Sequence, residues 1–225
     1  MTYIFLYLNL ALFILPFLFS LDKKSFKIEQ IRSAIIPALL VAIIFSEVSV
    51  FFTGLKIWIF NPQHLIGTFY RGIPIEQYLF VFSFNFFGLS VYNYLNAKIS
   101  ASNWQKYALF ASNLLLGIFI AIFYFSYPLW YPTFTVAILF LLLIYIEYGT
   151  EFRFMGSFYR MFLLMLIPFY IVYGVLCNMG IIAYQATKTV GYNIIKIPFE
   201  NHLYVMGMLL LSVFILEHLK KRSLQ

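Results

Sequence analysis

The stretch TVAILFLLLIYIEY, residues 135–148, decides the fold class. It is a continuous apolar run, without the strict alternation of apolar and polar residues that marks a membrane barrel strand. Backbone amides in lipid must pair within a helix or within a closed barrel, so this run predicts a membrane-spanning helix. About 20 such residues cross the roughly 30 Å hydrocarbon core of a bilayer.

The whole chain has the composition of a membrane protein. Of its 225 residues 63% are hydrophobic and only 10% are charged, whereas a soluble domain carries about 25% charged residues. This excludes a soluble enzyme, a nucleic-acid-binding module and a disordered tail. We predict an all-α membrane protein with seven transmembrane helices, at approximately 3–21, 33–52, 75–95, 107–126, 132–150, 159–179 and 198–219.

The basic residues predict how the chain is oriented. No Lys or Arg precedes Lys23, so the first span is expected to be a retained helix and not a signal peptide. With seven spans, eleven Lys and Arg residues (Lys23, Lys24 and Lys27 among them) fall on one face and four on the other. By the positive-inside rule the N-terminus is expected outside and the C-terminus in the cytoplasm.

Two loops between the predicted spans contain related sequences. GTFYRGIPIEQYLF occupies residues 67–80 and GYNIIKIPFENHLY occupies residues 191–204, so the two differ by 124 positions. At this offset the Ile-Pro-x-Glu segments coincide, and Glu76 aligns with Glu200. A match of this kind at the start of two corresponding spans indicates an internal repeat.

The repeat predicts a parallel 3+1+3 arrangement of the seven helices. The first three-helix repeat covers residues 1–96, a linking helix lies within 97–131, and the second three-helix repeat covers 132–225. Because one linking helix leaves both halves facing the same way, both Pro-x-Glu segments are expected on the same, outer side of the membrane.

Glu76 and Glu200 are the principal candidates for acid–base chemistry in a chain with eight acidic residues. Proline suits the first turn of a helix, so the glutamates that follow Pro74 and Pro198 are expected in the first turns of two helices. Ionisable groups near the hydrocarbon boundary are costly and tend to be functional. A protonated glutamate there can act as an acid and an ionised one as a base. A simple helix start is the alternative explanation of each motif.

The other acidic residues differ in depth. Glu47, toward the outer end of the second span, is a third candidate for the outer site. Near the inner ends, where basic residues are frequent, structural pairing is expected for Glu147, Glu151 and Glu217, and solvation for Asp22 and Glu29.

No metal or cofactor site is predicted. The three histidines fall at opposite membrane faces, so they cannot form a three-ligand metal site. The sequence has no G-x-G-x-x-G motif, no Walker A motif and no redox cysteine pair, since Cys177 is the single cysteine.

Aromatic residues make up 22% of the chain, and most are expected to face lipid or the membrane interface. Several cluster around the two Pro-x-Glu segments, and an aromatic face can stabilise a cation. The candidate substrate-binding residues are Trp58, Phe60, Asn61, Tyr78, His202 and Tyr204.

The loop sequences resemble a known enzyme family. The segment IWIFNPQHLIGTFYRGIPIEQYLF, residues 57–80, resembles the first half of the small carotenoid lycopene cyclases of bacterial membranes, which are also found as a domain fused to phytoene synthase in fungi. The segments IPFYIVYGVL and IPFENHLYVMGMLLLSVFILEH, residues 167–176 and 197–218, resemble the second half. The likeness covers nearly the whole chain.

The resemblance implies a redox-neutral cyclisation of lycopene to a product with a β-ionone ring, γ- or β-carotene, in the bacterial inner membrane. It implies Glu76 and Glu200 as catalytic residues and no cofactor. The expected partners are a linear carotenoid, membrane lipid and other enzymes of the carotenoid pathway, with no nucleic acid.

Three positions depart from the family pattern. The family usually has a second acid after each Pro-x-Glu, but this chain has Gln77 and Asn201 there. An aspartate is common near the end of the second span, where this chain has Ser49, two residues after Glu47. Because an amide positions groups by hydrogen bonds but is not an acid, Gln77 and Asn201 are candidates for supporting roles only.

Two other functions remain open at this stage. The chain is alternatively a carotenoid-binding membrane subunit without catalytic activity, or a small-molecule transporter, because transporters also contain parallel repeats. The acids predicted here lie near the span ends, however, and transporter sites usually lie near the midplane. The seventh span contains no lysine between Pro198 and Leu219, which excludes a retinal Schiff base there.

Overall fold

A computed structural model describes residues 3–19, 21–22, 28–99 and 102–223. Seven helices account for most of this part of the chain: α1 (Ile4–Phe19), α2 (Ile28–Gly54), α3 (Ile75–Lys98), α4 (Ser102–Ser126), α5 (Trp130–Gly149), α6 (Met155–Asn178) and α7 (Phe199–Ser223). The predicted helical class and the number of helices are confirmed. Lys23, Lys24 and Lys27, which contributed to the predicted orientation, lie outside the described residues.

Five of these helices, α2, α4, α5, α6 and α7, are long and apolar enough to cross a membrane. Helix α1 is apolar but has only 16 residues, which corresponds to about 24 Å. Helix α3 has 24 residues but is more polar, and its buried residues include Ser83, Asn85, Ser90 and Asn93. It packs against α1, α2, α6 and α7, so its polar groups face other helices instead of lipid. Asn85, for example, accepts a hydrogen bond from Ser212 of α7 at 2.6 Å.

The two loops contain short strands that the sequence analysis did not predict. The first loop has β1 (Trp58–Phe60), β2 (Phe69–Tyr70) and β3 (Ile73–Pro74), and the second has β4 (Ile182–Tyr184), β5 (Asn193–Ile194) and β6 (Ile197–Pro198). Strands β2 and β3 form one antiparallel pair, and β5 and β6 form another. Strand β1 pairs antiparallel with β4, so both loops lie on the same side of the helical bundle.

Residues that differ by 124 positions have matching backbone contacts in the two loops. Ile59 pairs with Ala183, its own counterpart, while Trp58 pairs with Tyr184 and Phe60 with Ile182. The β1–β4 pair therefore has a local twofold axis at Ile59. The flanking hydrogen bonds obey the same axis, because Asn61 N–H donates to Ile181 O and Gln185 N–H donates to Ile57 O, both at 2.9 Å.

The acids expected near the inner face are largely paired as predicted. Glu217 binds Lys220 at 2.9 Å and Glu151 binds Lys221 at 3.2 Å. Glu147 accepts a hydrogen bond from Ser112, which is not a cation. The expectation that Asp22 is merely solvated is wrong, because its carboxylate lies 2.5 Å from Lys98 Nζ.

Gly156 allows α6 to approach α4 closely, and its replacement is expected to destabilise the fold. A Cβ atom at this position would lie 2.6 Å from Gln105 N and 2.7 Å from Trp104 C, which are backbone atoms that cannot move independently. We expect Gly156→Ala to lower the free energy of unfolding by about 1–3 kcal/mol, as overpacking does. Thermal unfolding of the purified protein in detergent measures this loss.

Gly88→Ala is the matched control for this prediction. Its Cβ would also meet an atom at 2.6 Å, but that atom is Leu209 Cδ2, the end of a flexible side chain. We therefore expect a smaller loss than at Gly156. Equal unfolding temperatures for wild type and Gly156→Ala would disprove the close backbone contact.

Candidate active site

The two glutamates of the Pro-x-Glu segments are fully buried and are held in the same way. Glu76 and Glu200 lie in the first turns of α3 and α7, as predicted, and each has 0% exposed surface. The backbone N–H of Ile66 donates to Glu76 Oε1 at 2.5 Å. The backbone N–H of Val190, the counterpart of Ile66, donates to Glu200 Oε1, also at 2.5 Å.

A glycine follows each of these amides and allows the loop to turn back toward the helix. Gly67 and Gly191 have φ angles of +90° and +85°, which side-chain-bearing residues rarely adopt. After each turn the chain returns to the helix start, where Ile75 N–H donates to Thr68 O at 3.1 Å and Phe199 N–H donates to Tyr192 O at 3.0 Å. The glycines shared by the two repeats thus bring the loop amide to the glutamate of the following helix.

The second oxygen of each glutamate is available for chemistry. Within the described part of the chain, Oε2 of Glu76 and Oε2 of Glu200 are buried and accept no hydrogen bond. Buried carboxyl oxygens nearly always have a partner, because an unmet one costs free energy. A proton, or a ligand that gives or takes one, would satisfy these two atoms.

The amides that follow the glutamates are connected to tyrosine hydroxyls. Gln77 Nε2 donates to Ser49 Oγ at 3.2 Å, and Ser49 Oγ lies 3.2 Å from the Tyr204 hydroxyl. In the second repeat Tyr131 donates to Asn201 Oδ1 at 2.8 Å. Gln77 and Asn201 are therefore fixed in the interior beside the glutamates.

An aromatic cluster lies between the two repeats, centred on Trp58. The Trp58 ring makes edge-to-face contacts with four other rings, at centroid distances of 5.4 to 6.0 Å: Phe52, Tyr131, Tyr184 and Tyr204. Its Nε1–H donates to Thr53 Oγ1 at 2.8 Å. Burial raises the pKa of Tyr184 well above its ordinary value, so this phenol keeps its proton near neutral pH.

The remaining candidate residues are distributed between the interior and the surface. Trp58, Phe60 and Tyr204 are buried, and Tyr78 is half-buried, with its hydroxyl donating to Tyr70 O at 3.1 Å. Asn61 Oδ1 accepts a hydrogen bond from Gln63 N–H at 3.1 Å, which gives Asn61 a structural role in the loop.

His202 and Glu47 bind groups other than the two buried carboxyl groups. His202 is half-buried and lies 2.9 Å from the Tyr170 hydroxyl through Nε2 and 3.1 Å from Phe199 O through Nδ1. Glu47 is a surface residue whose side chain is 55% exposed, and it forms an ion pair of 2.5 Å with Arg71. The structure does not bring Glu47 into the interior with Glu76 and Glu200.

Sequence reasoning missed three polar residues of this region. Asn9 of α1 is buried and donates to Glu76 O at 2.8 Å, and an asparagine inside an otherwise apolar span is a signal that could have identified it. Tyr131 and Tyr184 carry no comparable signal, because a tyrosine near a membrane interface is ordinary. The two backbone amides that bind the glutamates cannot be recognised from the sequence, because a backbone N–H does not depend on the type of side chain.

The chain has helices long and apolar enough to span a bilayer, and two carboxyl groups are buried on its loop side. These features define a helical integral membrane protein with buried groups that can carry out acid–base chemistry. A family sequence model described as lycopene cyclase matches residues 2–95 and 128–219. The chain belongs to the lycopene cyclase family, which associates it with carotenoid biosynthesis. Comparisons with curated proteins and with solved structures gave no match.

Proposed function

We propose that this protein cyclises an end group of lycopene by acid–base catalysis, with Glu76 and Glu200 as the catalytic residues. The observation that carries the proposal is the matched state of the two carboxyl groups. Each is fully buried, each has one oxygen held by a loop amide, and each has a second oxygen without a partner. One oxygen fixes the carboxyl group, and the other can give or accept a proton.

The proposed reaction needs no oxidant, reductant or metal. A carboxylic acid protonates the terminal double bond of the linear carotenoid and leaves a carbocation. A neighbouring double bond attacks this cation, so that one carbon–carbon bond forms and a six-membered ring closes. A carboxylate then removes a proton beside the new cation, which yields the β-ring. The same atoms are present before and after the reaction.

The aromatic cluster is suited to the cationic intermediate. The rings around Trp58 are connected to both glutamate segments, through Tyr131 to Asn201 and through Tyr204 and Ser49 to Gln77. The face of a tryptophan or tyrosine attracts a cation by about 0.5–2 kcal/mol. A buried apolar site also excludes the water that would otherwise trap the carbocation.

We also propose the parallel 3+1+3 arrangement, with repeats over 1–96 and 132–225 and a linking helix within 97–131. The two segments of the family match each contain three helices, α1–α3 and α5–α7, and the two loops have matching backbone contacts. The distribution of basic residues supports an outer N-terminus and a cytoplasmic C-terminus in a bacterial inner membrane.

A non-catalytic carotenoid-binding subunit is the second candidate function. One observation favours it, namely that the positions where the family usually has second acids carry Gln77 and Asn201. Both amides are buried and hydrogen-bonded to neighbouring side chains, as a binding site also requires. The two candidates differ in whether the pigment leaves the protein chemically changed.

Expression in a bacterium that accumulates lycopene tests the proposal. We expect γ-carotene or β-carotene to appear when the pigments are separated by chromatography. The control is the double variant Glu76→Gln/Glu200→Gln, expressed at the same membrane level. Lycopene that stays linear despite good wild-type expression would contradict the enzyme proposal, and lycopene that co-purifies unchanged would favour the binding subunit.

A further inference from the structure

The first helix of each repeat donates a side-chain hydrogen bond to the turn that carries the glutamate. In the first repeat α1 packs against α3, and Asn9 Nδ2 donates to the backbone oxygen of Glu76 at 2.8 Å. In the second repeat α5 packs against α7, and the Tyr131 hydroxyl donates at 2.8 Å to Oδ1 of Asn201, the residue after Glu200. Both donors are buried, with 2% and 0% exposed surface. Each glutamate turn is therefore connected to the bundle by a side chain of another helix.

The two donors do not occupy corresponding positions of the repeat. At the offset of 124 residues, Asn9 corresponds to Thr133, whose hydroxyl is buried and has no hydrogen-bond partner among the described residues. Tyr131 corresponds to Tyr7, which is 60% exposed on the surface of α1. Two different residues thus make an equivalent connection, which points to a shared requirement of the two glutamate turns.

Stability alone does not explain an amide at position 9. Asn9 Oδ1 is buried and accepts no hydrogen bond from the described residues, and an unmet buried acceptor destabilises a folded protein. Glu76 lies inside α3, so its backbone oxygen can accept the N–H of Phe80, four residues later, without Asn9. The bond from Asn9 therefore adds a restraint to an oxygen that already has a partner.

The first turn of α3 depends on such restraints for its position. Its N-cap residue, Pro74, makes no side-chain capping hydrogen bond, and the first four N–H groups of a helix have no partner within it. Asn9 holds the backbone of Glu76, and Ile66 N–H holds its Oε1 at 2.5 Å. Both ends of this residue are thus fixed, and Oε2 is left for the reaction. Misplacement of a reacting group by about 1 Å can cost about 100-fold in rate.

We propose that Asn9 is a positioning residue that holds Glu76 for the reaction, and that Tyr131 has the same role for Glu200 through the adjacent Asn201. The proposal rests on the proposed cyclase function. Neither side chain gives or takes a proton in this role. The alternative is ordinary helix packing, in which polar side chains bond across an interface. That alternative predicts a loss of stability with no particular dependence on either glutamate.

Asn9→Leu removes the amide with little change in volume. We expect an unfolding temperature equal to or above that of wild type, because the unmet Oδ1 is removed as well. In lipid vesicles that contain lycopene, kcat per folded molecule should fall by up to about 100-fold, with KM unchanged. The matched control is Thr133→Val, which removes the buried hydroxyl at the corresponding position and should keep the wild-type kcat. A wild-type kcat for Asn9→Leu would refute the role of Asn9.

Tyr131→Phe removes one hydroxyl group and keeps the ring in its cluster. We expect a lower kcat per folded molecule, with a smaller loss than in Asn9→Leu, because Tyr131 acts through the residue next to Glu200. Tyr7→Phe makes the same change at the corresponding position of the first repeat, where the side chain is exposed, and should leave kcat unchanged. Equal losses in Tyr131→Phe and Tyr7→Phe would contradict the role of Tyr131.

Double variants identify the glutamate on which each residue acts. Glu76→Asp already displaces the carboxyl group, so Asn9→Leu should lower kcat by less than its own factor in that background. In the Glu200→Asp background, Asn9→Leu should lower kcat by its full factor, as independent sites do. Tyr131→Phe should show the reverse pattern. Full factors in both backgrounds would indicate a general structural role and would overturn the proposal.

Infrared spectroscopy tests the position of Glu76 without a need for product. With isotope-labelled glutamate, the difference between wild type and Glu76→Gln assigns the carboxyl band of Glu76. We expect Asn9→Leu to shift or broaden this band and Thr133→Val to leave it unchanged. An unchanged band in Asn9→Leu would refute the proposal. A wild-type protein that forms no rings would refute the cyclase function, while the infrared result still decides whether Asn9 fixes Glu76.

Discussion

Glu76→Gln and Glu200→Gln are each expected to reduce the formation of cyclised carotenoid by about 10²–10⁴-fold, the range that a positioned acid or base contributes. Glutamine has nearly the same shape and can still accept the hydrogen bond from Ile66 N–H or Val190 N–H through its Oε1. It cannot donate a proton as an acid or take one as a base. The measurement is the ratio of cyclic to linear pigment, normalised to protein in the membrane.

Neither replacement is expected to destabilise the folded protein. A buried ionised carboxylate is costly, so the neutral amide is expected to leave the protein as stable as wild type, or more so. Wild-type unfolding temperatures combined with lost product would therefore indicate a chemical role. Loss of product accompanied by loss of folded protein would indicate a structural role for the glutamates and would not support catalysis.

Glu47→Gln is the matched control. Glu47 is also a glutamate on the loop side of the bundle, but it is exposed and paired with Arg71, and exposed ion pairs contribute about 0–1 kcal/mol. We expect Glu47→Gln to retain wild-type cyclisation. The site assignment fails if Glu76→Gln and Glu200→Gln both remain active, or if Glu47→Gln is the variant that loses activity.

The helices and the two central glutamates could be predicted from the sequence for a physical reason. Apolar runs of about 20 residues have few alternatives in a bilayer, and a duplicated Pro-x-Glu fixes the helix starts. The positions of Glu76 and Glu200 in first helical turns followed from the same pattern, whereas their complete burial is visible only in the structure. Ser49, identified only by its place in the family pattern, proved to be a partner of Gln77.

What the sequence did not reveal depends on contacts between distant segments. The pairing of Trp58 with Tyr184 joins residues 126 positions apart, and strands of two or three residues give no periodic pattern. Glu47 was a reasonable candidate by depth along its helix, but depth does not indicate whether a side chain faces the interior. In the structure it faces outward and pairs with Arg71.

Trp58→Ala is expected to have the largest effect on stability, a loss of about 3–5 kcal/mol, as for other buried aromatic residues cut to alanine. Trp58 is 2% exposed, and its ring contacts those of Phe52, Tyr131 and Tyr204 at centroid distances of 5.4, 5.7 and 5.6 Å. It also belongs to β1, whose pairing with β4 joins the two loops. Unfolding of the purified protein by heat or by denaturing detergent measures the loss.

Trp58→Phe separates the contribution of ring packing from that of the Trp58 side-chain hydrogen bond. It keeps an aromatic ring in the cluster but removes the hydrogen bond from Nε1 to Thr53, so we expect it to lose about 0.5–1.5 kcal/mol for that bond and a further part for the smaller ring. Tyr131 and Tyr204 connect the cluster to the residues that follow the two glutamates. We therefore expect Trp58→Ala to reduce cyclisation per folded molecule as well, and to reduce it more than Trp58→Phe does. Equal stability of Trp58→Ala and wild type would mean that the contact between the repeats does not depend on this ring.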